Sequence, residues 1–277
     1  MRARGVLRHL AVLTLALAPL ASFGKAEPAR ASESAEQILA RVRELDAGPR
    51  RWTDRTQEVT LRIVDGVGKE RLREIESFSK RYPDGEEKVA VFLLAPPELR
   101  GTGFLQWAHP GREDEQWLYL PESKRIRQIT ARFKNESFVG SDFSYRDMEV
   151  LNEIARWTEK EAEAQLEGEE SVAGMLAYVI AYQPRHPETV GYTALRTWLR
   201  KEDLSATRVE FQNNDDAPKV LELAEIRSVG GIPTPHRLVM RNLKRGGHTV
   251  VEVKAVRYNR GIDDEVFTHR ALERGPR

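Results

Sequence analysis

The 277-residue chain has no cysteine. That excludes disulfides, a cysteine nucleophile, a thiolate zinc site and a lipid-modified cysteine anchor. Long apolar runs are missing too. The longest, residues 10–21 (LAVLTLALAPLA), has 12 residues, against the roughly 20 a bilayer-spanning helix needs. Neither sign of charge dominates, with 44 Lys and Arg against 43 Asp and Glu, so there is no global basic field for nucleic acid. None of the six histidines stands in a metal-ligand spacing such as HExxH. His236 and His248 flank one hairpin. A turn centred near Gly246 sets His248 opposite about Lys244 and His236 opposite about Val256, far apart along the ladder, so no metal is expected. Ser141 follows a glycine, but the second glycine of a nucleophile elbow is absent. Gly101-Thr102-Gly103 is too short for a phosphate loop. The carboxylates of EKEAEAQLEGEE alternate as the wet face of a strand. With no nucleophile beside a positioned base, the chain is read as neither an enzyme nor a cofactor protein.

What is present begins at the N-terminus. Arg2, Arg4 and Arg8 precede the short apolar run, and the small residues Ser22, Gly24 and Ala26 follow it. This is the order of a secretory signal. Residues 1–26 are therefore expected to be removed, leaving residues 27–277 as a single soluble periplasmic domain. Those residues carry 40 basic against 43 acidic side chains, a net of −3.

Hydrophobic periodicity then sets the fold class. In SAEQILARVRELD (34–46), Ile38, Leu39, Val42 and Leu45 recur at helical spacing, with Ser34 as N-cap. Afterwards the period becomes two, as in EVTLRIVD, where Val59, Leu61 and Ile63 share a side. GKERLREIESFSKRY reads as a long wet strand with a bulge, and EKVAVFLLA as a buried one. GTGFLQWAH, EQWLYL and KRIRQI follow, the last two joined by a turn at residues 121–124. Further strands are expected at 158–167, 172–183, 191–201, 206–212, 219–229, 234–244 and 248–259, with turns at Gly168, Gly230-Gly231 and residues 245–247. About twelve strands joined by short turns predict one large curved antiparallel sheet. Its concave face needs a cover. The first helix and SYRDMEVLNEIARW (144–157), whose Ser144 and Asp147 form a capping signature, are the available ones.

Eight aromatics, Phe104, Trp107, Trp117, Tyr119, Phe133, Phe138, Phe143 and Tyr145, fall in one 42-residue window. They fit either the core of a β-domain or the lining of an apolar cavity between sheet and covers.

QWLYLPESKRIRQI followed by KNESFVGSDFSYRDM resembles the periplasmic outer-membrane lipoprotein-sorting, or LolA-like, family. The matching positions are Trp117, Tyr119, Pro121, Lys124 and Arg127, then Ser137 through Tyr145 and Asp147. The resemblance implies an incomplete antiparallel β-barrel of about eleven strands, with helices plugging an apolar concave side that takes acyl chains. It points to a carrier or chaperone moving a lipid or lipoprotein towards the outer membrane, between an inner-membrane transporter and an outer-membrane receptor. An accessory lipid-binding factor docked on an inner-membrane transporter is the alternative, and a lipid hydrolase the reading from another class. The expected cavity or lid residues are Trp107, Trp117, Tyr119, Phe138, Phe143, Tyr145 and Met148, with residues 138–150 as a segment that opens. The resemblance also implies an arginine that latches the lid through backbone carbonyls. Arg81 in Lys80-Arg81-Tyr82-Pro83 stands nearest that place, though one extra residue separates it from the proline.

Overall fold

The computed structural model describes residues 33–214 and 218–275. The signal segment read at 1–26 lies outside them. The first helix, α1 (Ala35–Ala47), starts as its sequence dictates. Ser34 accepts from the Gln37 backbone, and the Gln37 side chain accepts from the Ser34 backbone. This reciprocal pair satisfies two donors that helix geometry leaves free. Ile38, Leu39 and Val42 make the buried stripe, and Gly48 ends the helix.

Thirteen strands follow: β1 (Asp54–Val64), β2 (Glu70–Arg81), β3 (Glu87–Ala95), β4 (Gly103–Ala108), β5 (Glu115–Leu120), β6 (Arg125–Gln128), β7 (Ala162–Val172), β8 (Met175–Pro184), β9 (Ala194–Arg200), β10 (Ala206–Gln212), β11 (Lys219–Val229), β12 (Ile232–Asn242) and β13 (Gly247–Tyr258). Helix α2 (Tyr145–Glu153) stands between β6 and β7, the short α3 (Pro187–Val190) between β8 and β9, and α4 (His269–Arg274) near the C-terminus. All strands join one antiparallel sheet in the order β6-β5-β4-β3-β2-β1-β13-β12-β11-β10-β9-β8-β7. Two meanders, β1–β6 and β7–β13, are thus stitched together where β1 pairs β13, from Arg55 opposite Tyr258 to Val64 opposite His248. Among the described residues β6 and β7 are the open edges, so the sheet is an incomplete barrel.

The strand count exceeds the expected eleven or twelve, and two boundaries differ. The turn expected at Gly168 is a bulge within β7, where the register shifts between Leu166 and Gly168. The chain reverses instead at Ala173-Gly174, with φ of 50° and 80°. A two-residue hairpin turn of type I′ needs positive φ at both central positions, and Val-Ala-Gly-Met supplies it only with strain at Ala173. The β12–β13 register also differs by about three residues: His248 faces Arg241, not Lys244.

Period-two alternation sends side chains to two buried faces. The main core is concave and includes Leu61, Ile75, Val91, Phe104, Ile180 and Leu221, under α1 and under Val150 of α2. A second core lies on the opposite face. There Ala90, Phe92, Leu105, Trp117 and Tyr119 are covered by Phe267 and by Leu272 of α4. Gly103 permits that cover, because a Cβ on it would stand 2.8 Å from Leu272 Cδ2.

Candidate functional site: an apolar cavity under the helices

The curved sheet and its covers line a half-open cavity of about 500 Å³, within the roughly 300–1,000 Å³ range of small-molecule sites. Val59 and Leu61 of β1, Leu223 of β11, Leu238 of β12, and Val251 and Val253 of β13 give an aliphatic wall. Val42 of α1 and Met148 and Leu151 of α2 face it, and Phe138 and Phe143 contribute from the segment before α2.

Polar groups gather around Trp52, which precedes β1. Arg55 and Arg81 lie on its ring, with guanidinium carbons 5.1 and 3.9 Å from the centroid. Arg50 and Asp46, from the turn after α1 and its last residues, line the same region. Burial pushes the Asp46 carboxyl up, against the pull of Arg81 and Arg50. Burial also lowers the Arg81 guanidinium, against the pull of Glu87. The Arg81 Nε donates to Glu87 Oε2 at 3.2 Å, and Arg156 donates to the same oxygen at 3.0 Å.

The residues expected at the cavity divide. Phe138, Phe143, Met148 and Arg81 line it. Tyr145 packs one layer behind, with its ring 5.6 Å from Phe104 and 5.8 Å from Phe138. Trp107, Trp117 and Tyr119 stand on the other face of the sheet: Trp117 and Tyr119 are members of the second core, and Trp107 packs against it. Trp107 donates to the Phe267 carbonyl at 3.0 Å and stacks on His269. Parity explains the split. Phe104 points to the concave side, so Trp107, three residues on, points away. Trp117 pairs with Leu105 and Tyr119 with Gly103, which share Trp107's face. Among the described residues the Arg81 side chain bonds Glu87 and no carbonyl of a cover. Arg43 of α1 does bond one, donating to the Trp157 carbonyl at 3.0 Å, while Arg50 donates to the Asp203 carbonyl in the β9–β10 turn. The aliphatic wall from β11 to β13 was missed, since single Val and Leu residues in separate strands carry no local signature.

The polar letters of the SFVGSDFSYRD stretch anchor α2. Asp142 accepts from Thr249 Oγ1 of β13 at 2.7 Å. Ser144 and Asp147 form the reciprocal cap. Asp147, fully buried, also accepts from Tyr192 Oη and from Lys219 Nζ, the latter at 2.7 Å. Glu149 pairs with Lys134 at 2.6 Å and with Arg146 at 3.2 Å. Burial nevertheless pushes Glu149 up to about 6. Glu153 is pushed up to about 7 by burial and by the neighbouring Asp114 and Glu149. The segment expected to open is thus tied to β11, to β13 and to Lys134 by buried polar bonds. Among the described residues no group of three or more His, Asp or Glu is placed to hold a metal ion.

An open antiparallel sheet curved round a helix-covered apolar cavity defines the LolA-like class of fold. A family model described as an uncharacterized protein matches residues 85–274, and the chain belongs to that family. The solved structure of a DUF1329 family protein from Desulfovibrio piger is 27% identical, with a TM-score of 0.78 over 86% of this chain and 97% of that one. A structure from Vibrio parahaemolyticus, described as an outer membrane lipoprotein-sorting protein domain, is 24% identical, with a TM-score of 0.76 over 85% of this chain and 97% of that one. A LolA superfamily protein from Nitrosomonas europaea is 20% identical, with a TM-score of 0.62 over 86% and 99%. No curated protein sequence matches the chain.

Proposed function

We propose that the protein is a periplasmic carrier that shields the acyl chain of a lipid or lipoprotein in the cavity under its helices, on the way to the outer membrane. The observation that supports this most is the aliphatic wall shared by β1 and β11–β13, which lines the cavity. A close-packed interior leaves few such voids. The energetics suit a carrier. Each buried methylene is worth about 0.8 kcal/mol, so a palmitoyl chain gains on the order of 10 kcal/mol by leaving water. Release needs only local opening of a cover, which costs less than global unfolding. No bond is made or broken, and no cofactor is called for. A protein of the same fold described as an outer membrane lipoprotein-sorting protein domain is in keeping with this direction of transfer.

Displacement of a fluorescent fatty-acid analogue tests the reading. Saturable binding is expected, with palmitate as competitor. Leu223→Asp puts an unpaired carboxylate on the wall and should weaken binding at least about tenfold, since burying such a charge is costly. Phe138→Asp and Phe143→Asp should act in the same direction. Absence of binding, together with absence of lipid from the gently purified protein in native mass spectrometry, would refute the proposal.

A further inference from the structure

Resting on the carrier reading, we infer that the cavity takes an amphiphile with an anionic headgroup, held at the polar end by Arg50, Arg55 and Arg81. Two adjacent strands carry the same gradient on their concave face. On β1 the order is Arg55, Gln57, Val59, Leu61. On β2, read in the opposite sense, it is Arg81, Ser79, Ser77, Ile75. The register aligns them: Arg55 faces Ser79, Gln57 faces Ser77 and Val59 faces Ile75. From one end inward both strands therefore pass from cation to small polar group to aliphatic wall. That is the profile of a headgroup followed by its chain.

The cations exceed what the protein itself neutralises. Arg81 and Arg156 share the single carboxylate of Glu87. Arg55 has no carboxylate partner among the described residues. Its Nη2 reaches Ser79 Oγ at 3.2 Å, and its Nε is buried with no hydrogen-bond partner. Arg50 spends its contact on a backbone carbonyl. The charged groups that line this end of the apolar cavity are three guanidiniums, Arg50, Arg55 and Arg81, and one carboxylate, Asp46. Partly desolvated guanidiniums without counter-charges are unfavourable, and a planar anion returns the lost hydrogen bonds in pairs. Stacking on Trp52 already holds two of them in place, so little ordering remains to be done on binding.

Competition against the fluorescent analogue with three palmitoyl amphiphiles tests this: palmitate, palmitoyl-lysophosphatidylglycerol and neutral monopalmitoylglycerol. At least one anion is expected to bind about tenfold or more tighter than the neutral glyceride, a difference of roughly 1.4 kcal/mol. An advantage confined to one of them names the headgroup as carboxylate or phosphate. Arg50→Gln with Arg55→Gln should bring the anion-to-neutral ratio towards one, while Lys at both positions should preserve most of it. Equal affinity of the unaltered protein for all three would overturn the headgroup inference and leave the carrier standing. An unchanged ratio in the Gln variant would also overturn it. Failure to bind any of the three would remove the carrier reading itself.

Discussion

Gly103 and Glu153 show how much hangs on single positions. Leu272 is fully buried and cannot swing away from a new methyl group at Gly103. Gly103→Ala is expected to destabilise the fold by about 1–3 kcal/mol through overpacking, read as a lower urea midpoint with an unchanged slope. Glu153 makes stability depend on pH. Its carboxyl is raised to about 7 in the folded protein, so its contribution is complete below the usual carboxylate range and is lost as pH rises through about 7. Glu153→Gln should therefore gain stability relative to the unaltered chain between about pH 5 and pH 8, by an amount of order 1–3 kcal/mol. Urea titrations of both proteins at the two pH values check the sign. At this scale the sequence was only half legible. The aromatic window gathered rings from both faces of the sheet because composition ignores strand parity. Counting from Phe104 already separates Trp107 from it. The arginines at Trp52 carried no motif, since Arg55 and Arg81 meet only through strand pairing.

Helices α1 and α2 look alike as sequence patterns, each with a capping signature and an apolar stripe, and the structure gives them different attachments. On α2, Asp147 and Glu149 are buried and paired with groups from other segments. Asp147→Ala would strand the Lys219 ammonium and the Tyr192 hydroxyl, and should cost about 3–5 kcal/mol, the usual penalty for removing one partner of a buried pair. Thermal melting of that variant measures the loss. Helix α1 rests on Ile38, Leu39 and Val42 and on exposed or half-exposed polar contacts, such as Arg41 with Glu33 and Arg43 with Glu36. Hydrogen exchange should consequently be faster over residues 35–47 than over 145–153 in the lipid-free protein, with protection at 35–47 rising when lipid is added. Helix starts were legible because capping is local chemistry. Attachment was not, because Thr249, Tyr192 and Lys219 lie far along the chain from the helix they hold. The same limit applies to the β7–β8 turn, where Gly168 looked like a reversal and is a bulge.

For the molecule as a whole, the antiparallel architecture followed from short turns and period-two strands, whereas the joining of two meanders did not, because nothing local marks β1 as a partner of β13. The proposal of export adds a whole-chain prediction: protein recovered from the periplasm should begin near residues 25–27 on N-terminal sequencing, and recovery of full-length chain only in membranes would refute it. The β1–β13 seam has a further consequence, for assembly of the newly made chain. Thr53 is hydrogen-bonded to Asn259 across 206 positions, so this closure comes last in synthesis and carries a loop entropy that grows with the logarithm of that span. Until β13 is available, one side of β1 is a bare row of backbone donors and acceptors, a template for pairing with other chains. A chain ending at residue 246 is therefore expected to elute from size-exclusion columns as oligomers, and the complete chain to fold slowly, in the manner of long-range β topologies. Its vulnerable moment is the interval before the last strand arrives, when the edge that will close the carrier is also the edge most open to the wrong neighbour.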